Sequence, residues 1–166
     1  AGRRARRRLL ERMPGIRLHL DSGGVYDCSG DEYPIDIGQL GVPVEIVGDG
    51  TPVLDARGSG ALFMQMLPGS KLTLEGVILR GGLASDAPAH GGVALIAAGT
   101  FTARRCAFES NAAINMGGAV AVGLFGAEAA AADAGAAVEA FAEISGCSFH
   151  NNSATHGGAI AVGARG

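Results

Sequence analysis

The sequence predicts an all-β fold, a right-handed parallel β-helix of about four to five coils with a short N-terminal capping helix. Two repeated patterns support this prediction. The pattern Cys-x-Phe-x-x-Asn occurs at 106–111 and again at 147–152, and each copy leads to Gly-Gly-Ala followed by an aliphatic residue, at 117–120 and 157–160. Self-similarity of this kind is typical of chains that wind into stacked coils.

The first strand of each coil is visible in an alignment of the repeats. Segments of eleven residues that start at Leu72, Phe101 and Ala142 align without a gap, and shorter copies start at Val44 and Ile16. The first and third positions are apolar and the second is polar in the better copies, which is typical of a strand with one buried face. We therefore expect the apolar positions to point inward, in register, on one parallel sheet. The fifth position, where we expect a bend, holds Gly48, Gly76, Arg105 and Gly146.

The second half of each repeat predicts ladders of like side chains between neighbouring coils. We expect Phe108 to lie over Phe149 and Cys106 over Cys147, both inside the coil. The cysteines are then interpreted as small buried apolar residues, with a disulfide between adjacent coils as the alternative. The last column holds Gly82, Asn111 and Asn152. Because Gly and Asn tolerate a left-handed backbone, we expect a left-handed corner and a stacked Asn pair there.

The glycine pairs open a further apolar strand in each coil. The pairs at 91–92 and 117–118 lie 26 residues apart, whereas the next pair, at 157–158, follows after 40. The 14 extra residues fall in the Ala- and Gly-rich stretch 123–140. Loops can leave a stack of coils sideways, so we expect an insertion at one corner that does not interrupt the core.

These motifs resemble those of known families. The Phe-x-x-Asn and Gly-Gly-Ala-aliphatic pair is similar to the repeat of chlamydial polymorphic outer-membrane proteins, and the stretch 44–82 resembles the wider pectin-lyase-like β-helix superfamily. Together the resemblances cover about residues 16–163. They imply the parallel β-helix fold and a location outside the cell or on its outer surface. They do not imply one activity, because this fold carries lyases, epimerases, adhesins and spacers.

The first 15 residues form a separate, basic element. Residues 1–17 contain seven arginines and one glutamate, a net charge of +6, whereas the rest of the chain carries −9. Leu9, Leu10 and Met13 fall on one helical face, and Pro14 and Gly15 end the helix. The first interpretation is a helix that caps the first coil. The second is an arm that docks on an anionic surface, with no specificity for nucleic acid, through Arg3, Arg4, Arg6, Arg7 and Arg8.

The sequence offers no catalytic, cofactor-binding or metal-binding set. Glu75 and Arg104 are expected to form an ion pair between coils. Five acidic residues are placed on early turns without a ligand spacing: Asp31, Glu32, Asp36, Asp49 and Asp55. His90 and His156 each precede a glycine pair, with Met116 in the equivalent place between them, so we expect surface corner residues two coils apart. No nucleophile and base recur together in a motif.

The domain organisation that follows is an arm at 1–15 and one β-helix at 16–166. No apolar run is long enough to predict a membrane span. A β-helix that stops after the strand near Val162 leaves strand edges uncovered, so we expect protein partners or further chain to cover that end. The leading hypothesis is a non-catalytic scaffold, spacer or adhesive module. The alternatives are an accessory subunit of a large assembly, in an organelle or at a membrane, and a carbohydrate-active enzyme of the pectin-lyase type or its remnant.

Overall fold

The computed structural model describes residues 14–30, 34–65, 67–86, 89–123 and 139–163. These residues form an all-β parallel β-solenoid with almost no helix. The strands of the first half are β1 (Ile16–Leu20), β2 (Val25–Asp27), β3 (Ile35–Asp36), β4 (Val44–Gly48), β5 (Val53–Asp55), β6 (Phe63–Gln65), β7 (Lys71–Glu75) and β8 (Ile78–Arg80). Those of the second half are β9 (Leu83–Ala84), β10 (Ala94–Ile96), β11 (Gly99–Arg104), β12 (Ala107–Glu109), β13 (Ala112–Ala113), β14 (Val120–Val122), β15 (Ala140–Ser145), β16 (Ser148–His150) and β17 (Ile160–Val162).

Three five-stranded parallel sheets form the walls of the solenoid. Sheet 1 has the order β1-β4-β7-β11-β15, sheet 2 the order β2-β5-β8-β12-β16, and sheet 3 the order β3-β6-β10-β14-β17. The chain visits one strand of each sheet before it returns to the first sheet. Three strands of each sheet have a neighbour on both sides, so about three turns are enclosed by other turns. Neighbouring strands within each sheet run parallel.

The ungapped alignment of the repeats is confirmed by the register of sheet 1. Phe101 lies beside Leu72 on one side and beside Ala142 on the other. Ala103 lies in the same way between Leu74 and Ile144. Leu72, Leu74, Phe101 and Ala103 are fully buried. The alternating pattern therefore places the core inside the coil, as a single apolar cluster that extends through the inner turns.

The bend after the strands of sheet 1 is confirmed at Gly76, Arg105 and Gly146 but not at Gly48, which lies within β4. The left-handed corner after sheet 2 lies one residue earlier than the sequence predicts. The bend positions Gly76, Arg105 and Gly146 have φ values of 64°, 51° and 60°. After sheet 2, positive φ occurs at Gly81, Ser110 and Asn151, and not at the expected Gly82, Asn111 and Asn152. The physical reason is that the asparagine column is held by amide hydrogen bonds, so the chain turns on the residue before it.

The segment after the corner folds back over the start of sheet 3. The short strands β9 and β13 pair as a separate two-stranded sheet, which a bridge from Ala112 to Ser153 continues. The second glycines of the first two pairs, Gly92 and Gly118, lie beneath this segment. A Cβ at Gly92 or at Gly118 would overlap backbone atoms of the following turn. Only glycine allows this close approach of two backbones.

One short helix, α1 (Ile37–Leu40), follows β3 and was not predicted from the sequence. Asp36 caps it by accepting hydrogen bonds from the backbone N–H groups of Gly38 and Gln39, at 2.8 and 3.3 Å. Gly41, with a φ of 67°, ends it. The predicted capping helix and the arm fall in 1–13, outside the described residues, as does most of the predicted insertion, at 124–138.

Candidate functional site

The asparagine ladder is the most strongly connected polar feature of the described residues. Asn111 is fully buried. Its side-chain oxygen accepts from the N–H of Gly82 at 2.9 Å, and its Nδ2 donates to the carbonyl of Leu79 at 3.1 Å. Asn152 repeats the arrangement one turn later, because its oxygen accepts from the N–H of Asn111 at 3.1 Å and its Nδ2 donates to the carbonyl of Phe108 at 2.9 Å.

The two asparagines also contact each other, since Asn111 Nδ2 donates to Asn152 Oδ1 at 3.0 Å. The sequence predicted this stacked pair. Each amide thus satisfies one donor and one acceptor of the preceding turn, groups that would be costly to bury without partners. The column is a structural tie between turns. Its polar atoms are already occupied and do not form a ligand site.

The aromatic and cysteine ladders are confirmed as predicted. The rings of Phe108 and Phe149 stack with centroids 4.8 Å apart and planes inclined by 5°. Cys106 and Cys147 lie in one column, and the backbone N–H of Cys106 donates to the Cys147 sulfur at 3.4 Å. Cys106 and Cys147 are free thiols, so no disulfide joins the two adjacent coils. Burial raises the pKa of the Cys106 thiol to about 11, so this thiol is neutral at physiological pH.

The outward face of sheet 1 carries ion pairs between turns, with one correction to the sequence prediction. Glu75 and Arg104 are neighbours in the ladder, as expected, but they do not form the ion pair. Arg104 instead pairs with Glu143 at 3.2 Å, and Glu75 pairs with Arg105. The reason is the left-handed bend at Arg105, whose side chain is directed back across the sheet to the preceding turn.

Sheet 2 carries a charged column that the sequence analysis missed. Asp27 and Asp55 are direct neighbours in register, and the column continues through Arg80. Asp55 was expected on a turn but lies in β5, where Arg80 binds it through Nε and Nη2 at 2.9 and 2.8 Å. Arg57 pairs with Asp27 at 3.2 Å. The sequence signal that could have revealed this column is the spacing of Asp27 and Asp55, which equals one full repeat.

In this column the negative charges of Asp27 and Asp55 are neutralised by Arg57 and Arg80. Hydrogen bonds from Ser29 to Asp27, with a further contribution from Arg57, lower the pKa of the Asp27 carboxyl. A general acid needs the opposite shift, toward neutral pH. The side chain of Asp55 is 13% exposed and accepts from the backbone N–H of Arg57 as well as from Arg80. Both carboxylates therefore act as acceptors that tie neighbouring turns.

The histidine column is confirmed in its spacing and corrected in its exposure. Met116 forms bridges with His90 on one side and His156 on the other, so the two histidines are two turns apart. His156 is exposed as expected, whereas His90 is buried. The described residues contain no group of three or more His, Cys, Asp or Glu side chains suited to a metal ion.

A cavity of about 310 Å³ lies beside His90, on the outer side of sheet 3. Met64 and Leu95, neighbours in register, form part of its apolar lining together with Phe63. Its polar lining residues include Ser59, Ser85, Asp86 and His90. The cavity can hold a small, mostly apolar group.

Two large apolar side chains of the turn at 139–163 are exposed, and of these only Val162 lies in register with a buried residue, Val122. Phe141 is 58% exposed and Val162 is 76% exposed. Among the described strands, β15, β16 and β17 each pair on one side only. Arg3, Arg4, Arg6, Arg7 and Arg8, the predicted docking residues, fall outside the described part of the chain.

Comparison of the chain with protein-family models, with curated proteins and with solved structures finds no match. In the part of the chain that the structure describes, no helix has the length and apolar character needed to span a bilayer. The fold class is therefore defined by the structure itself, as an all-β parallel β-solenoid.

The asparagine ladder predicts unequal effects of two matched substitutions. Asn111→Ala removes bonds to two neighbouring turns at a fully buried site, so we expect the free energy of unfolding to fall by about 2–4 kcal/mol. Asn152→Ala acts at a partly exposed site and should cost less, about 1–2 kcal/mol. Urea unfolding of both variants measures the difference. An equal fall in the free energy of unfolding for both variants would contradict the prediction that the asparagine contacts contribute more at the buried site.

The raised pKa of Cys106 predicts slow alkylation in the folded protein. Iodoacetamide reacts with the thiolate, so modification of Cys106 at pH 8 should be much slower than in urea, and should accelerate toward pH 11. Because the pKa in the folded state exceeds the ordinary value of 9.0, stability from the neutral thiol is complete below pH 9 and is lost as pH rises through about 11. Peptide mass spectrometry identifies the modified cysteine. Rapid alkylation of folded Cys106 at pH 8 would refute its burial as a neutral thiol.

Proposed function

We propose that this chain is a non-catalytic β-solenoid module that serves as a scaffold, spacer or adhesive surface. The observation that carries the proposal is the use of polar side chains along the walls. The amide ladder and the ion pairs of sheets 1 and 2 connect one turn to the next. Groups arranged in this way maintain a long regular surface and leave few charges to converge on a substrate.

The energetics of the ion pairs agree with a surface role. Arg17 and Glu45, at 3.4 Å, have side chains that are 60% and 39% exposed, and Arg104 and Glu143 are similarly open to solvent. Exposed pairs contribute about 0–1 kcal/mol each. Their main effect is to place opposite charges of adjacent turns beside each other on the outer wall. The resulting outer wall is polar and solvated.

The finer description of the fold is part of the same proposal. We propose a right-handed β-helix of four to five coils; the right-handed preference of parallel crossover connections and the five strands of each sheet support this proposal. The resemblance of its repeats to polymorphic outer-membrane proteins and to the pectin-lyase-like superfamily supports a location outside the cell or on its outer surface. An organellar assembly is the alternative location.

A role as an accessory subunit is the second candidate. It is favoured by the exposed apolar side chains of the turn at 139–163, which include Phe141 and Val162. The arginine arm adds a second contact, with an anionic surface as its partner. A polysaccharide lyase or its remnant is the third candidate. The stacked Asp27 and Asp55 supply two carboxylates, but their arginine partners neutralise them.

The first prediction of this proposal is that the chain does not cleave acidic polysaccharides. Polygalacturonate and alginate, each with Ca²⁺, should give no unsaturated products above a blank. The reason is that arginines engage both stacked carboxylates, so neither is available as a ligand for Ca²⁺. Turnover that disappears in the Asp27→Asn and Asp55→Asn variants would overturn the non-catalytic proposal and establish the lyase alternative.

The second prediction concerns the arm. Binding to vesicles that contain phosphatidylserine should weaken when Arg3, Arg4, Arg6, Arg7 and Arg8 are replaced by Ala, and should weaken with salt, because exposed charges are screened beyond about 8 Å at physiological ionic strength. Arg104→Ala is the matched control, since that arginine is exposed but paired with Glu143. Equal vesicle binding by the unmodified chain, the arm variant and Arg104→Ala would contradict the docking role of the arm and leave only its role as a cap.

A further inference from the structure

The connections from sheet 2 to sheet 3 change in length between the second turn and the third. The connection 56–62, between β5 and β6, is short, whereas the connection 81–93, between β8 and β10, is longer and contains β9. In the following turn the connection 110–119 contains β13, which pairs with β9. The long connections therefore add an outer layer beside sheet 3 from the third turn onward, and a step remains where this layer meets the short connection.

The cavity of about 310 Å³ lies at this step. Its floor is formed by Met64 and Leu95, which are neighbours in register on sheet 3. The short connection supplies one wall with residues 59–61, and the long connection supplies the other with residues 83–86 and 89–90. The backbone N–H of Leu83 donates to the carbonyl of Gly60 at 3.0 Å and so joins the two walls. The volume is at the small end of the range of ligand-binding pockets, about 300–1,000 Å³.

The lining combines an apolar floor with acceptor groups and a negative charge. Among the described lining residues there is one carboxylate, that of the exposed Asp86, and there is no lysine or arginine. The hydroxyl of Ser59 donates to the carbonyl of Ala56 at 2.7 Å, which leaves the Ser59 oxygen able to accept a hydrogen bond. The fixed charge of the cavity is therefore negative, and its apolar surface lies within reach of that charge.

Asp86 differs from the carboxylates that tie neighbouring turns together. Those carboxylates are each paired with an arginine, and they are Asp27, Asp55, Glu75 and Glu143. No arginine or lysine of the described ranges forms an ion pair with Asp86. Arg57, from the connection that also supplies Ser59, pairs with Asp27 at 3.2 Å instead. The charge of Asp86 thus faces the cavity and the solvent, where a cationic ligand can meet it.

We propose that this cavity binds a small organic ammonium ion with an apolar body. The apolar body covers Met64 and Leu95 and removes their surface from water. The ammonium group donates to the carboxylate of Asp86, in a charge-assisted hydrogen bond, and to the hydroxyl oxygen of Ser59. This site adds ligand binding to the proposed scaffold function and does not depend on it.

Charge separates this ligand class from others of the same size. A carboxylate of equal length is repelled by Asp86, and an alcohol forgoes the attraction between opposite charges. Residues 18–166 carry a net charge of −9, which raises the local concentration of cations around the whole chain. A test must therefore separate attraction to Asp86 from attraction to the acidic surface in general.

The test titrates the full chain, labelled with ¹³C at its methyl groups, with hexylamine, hexan-1-ol and hexanoate at low ionic strength. NMR of the methyl groups of Met64 and Leu95 reports occupation of the cavity, and the methyl groups of the exposed Val25 report unspecific contact with apolar surface. We expect hexylamine to shift the Met64 and Leu95 signals and to bind about fivefold more tightly than hexan-1-ol, with hexanoate the weakest. Added salt should reduce this preference, because it screens the charge of Asp86.

Two matched variants locate the charge that is responsible. Asp86→Asn keeps the shape of an exposed side chain and should lower the affinity for hexylamine to that for hexan-1-ol, while the affinity for hexan-1-ol stays unchanged. Asp49→Asn removes one charge from an exposed carboxylate that does not line the cavity, and should leave both affinities unchanged. The methyl spectrum of each variant without ligand checks that the fold is retained.

Three results would overturn the inference. The first is that hexylamine leaves the Met64 and Leu95 signals in place, or shifts them no more than those of Val25. The second is equal affinity for hexylamine, hexan-1-ol and hexanoate, because the cavity would then have no preference for a cation. The third is an equal loss of hexylamine binding in Asp86→Asn and Asp49→Asn, which would assign the attraction to the acidic surface as a whole. None of these readouts involves cleavage of a polysaccharide or binding to vesicles, so the proposed function stands or falls separately.

Discussion

In-register parallel stacking is the constraint on which the rest of this structure depends. Neighbouring strands lie about 4.8 Å apart, so a residue in one turn meets the equivalent residue of the next at nearly the same distance. A slip by one residue would move every inward side chain of a strand to the solvent face. The register of Leu72 and Phe101 is thus fixed by burial, Ala142 continues it in the next turn, and the other ladders follow the same register.

Polar contacts between turns stabilise the stack in addition to apolar burial. The backbone at the corner after sheet 2 leaves the regular ladder, and its N–H and C=O groups need partners in a buried place. Asn111 and Asn152 supply an acceptor and a donor from one side chain, which few residue types can do. Gly92 and Gly118 serve the opposite need, since they bring two backbones closer than any side chain would permit. These residues link the repeat motif in the sequence directly to the contacts between turns.

Much of the fold could be predicted from the sequence, whereas the polar site residues could not. Alternating apolar positions identify strands of sheet 1, and the Phe and Asn columns identify stacked ladders, because each depends on spacing along the chain. The choice of partner for Arg104 depends on a left-handed bend at its neighbour Arg105, which spacing does not reveal. The stack of Asp27 on Asp55 was missed for a similar reason, since a carboxylate at the end of a three-residue strand resembles one in a turn.

The sequence by itself determined that equivalent residues of successive repeats lie above one another. The physical reason is that a periodic apolar pattern can be buried only by stacking its copies. The tertiary structure decided which polar groups meet across the stack and which face is left open. It placed the left-handed corner on Ser110 and Asn151 and turned the adjacent asparagines inward to bind the preceding turn.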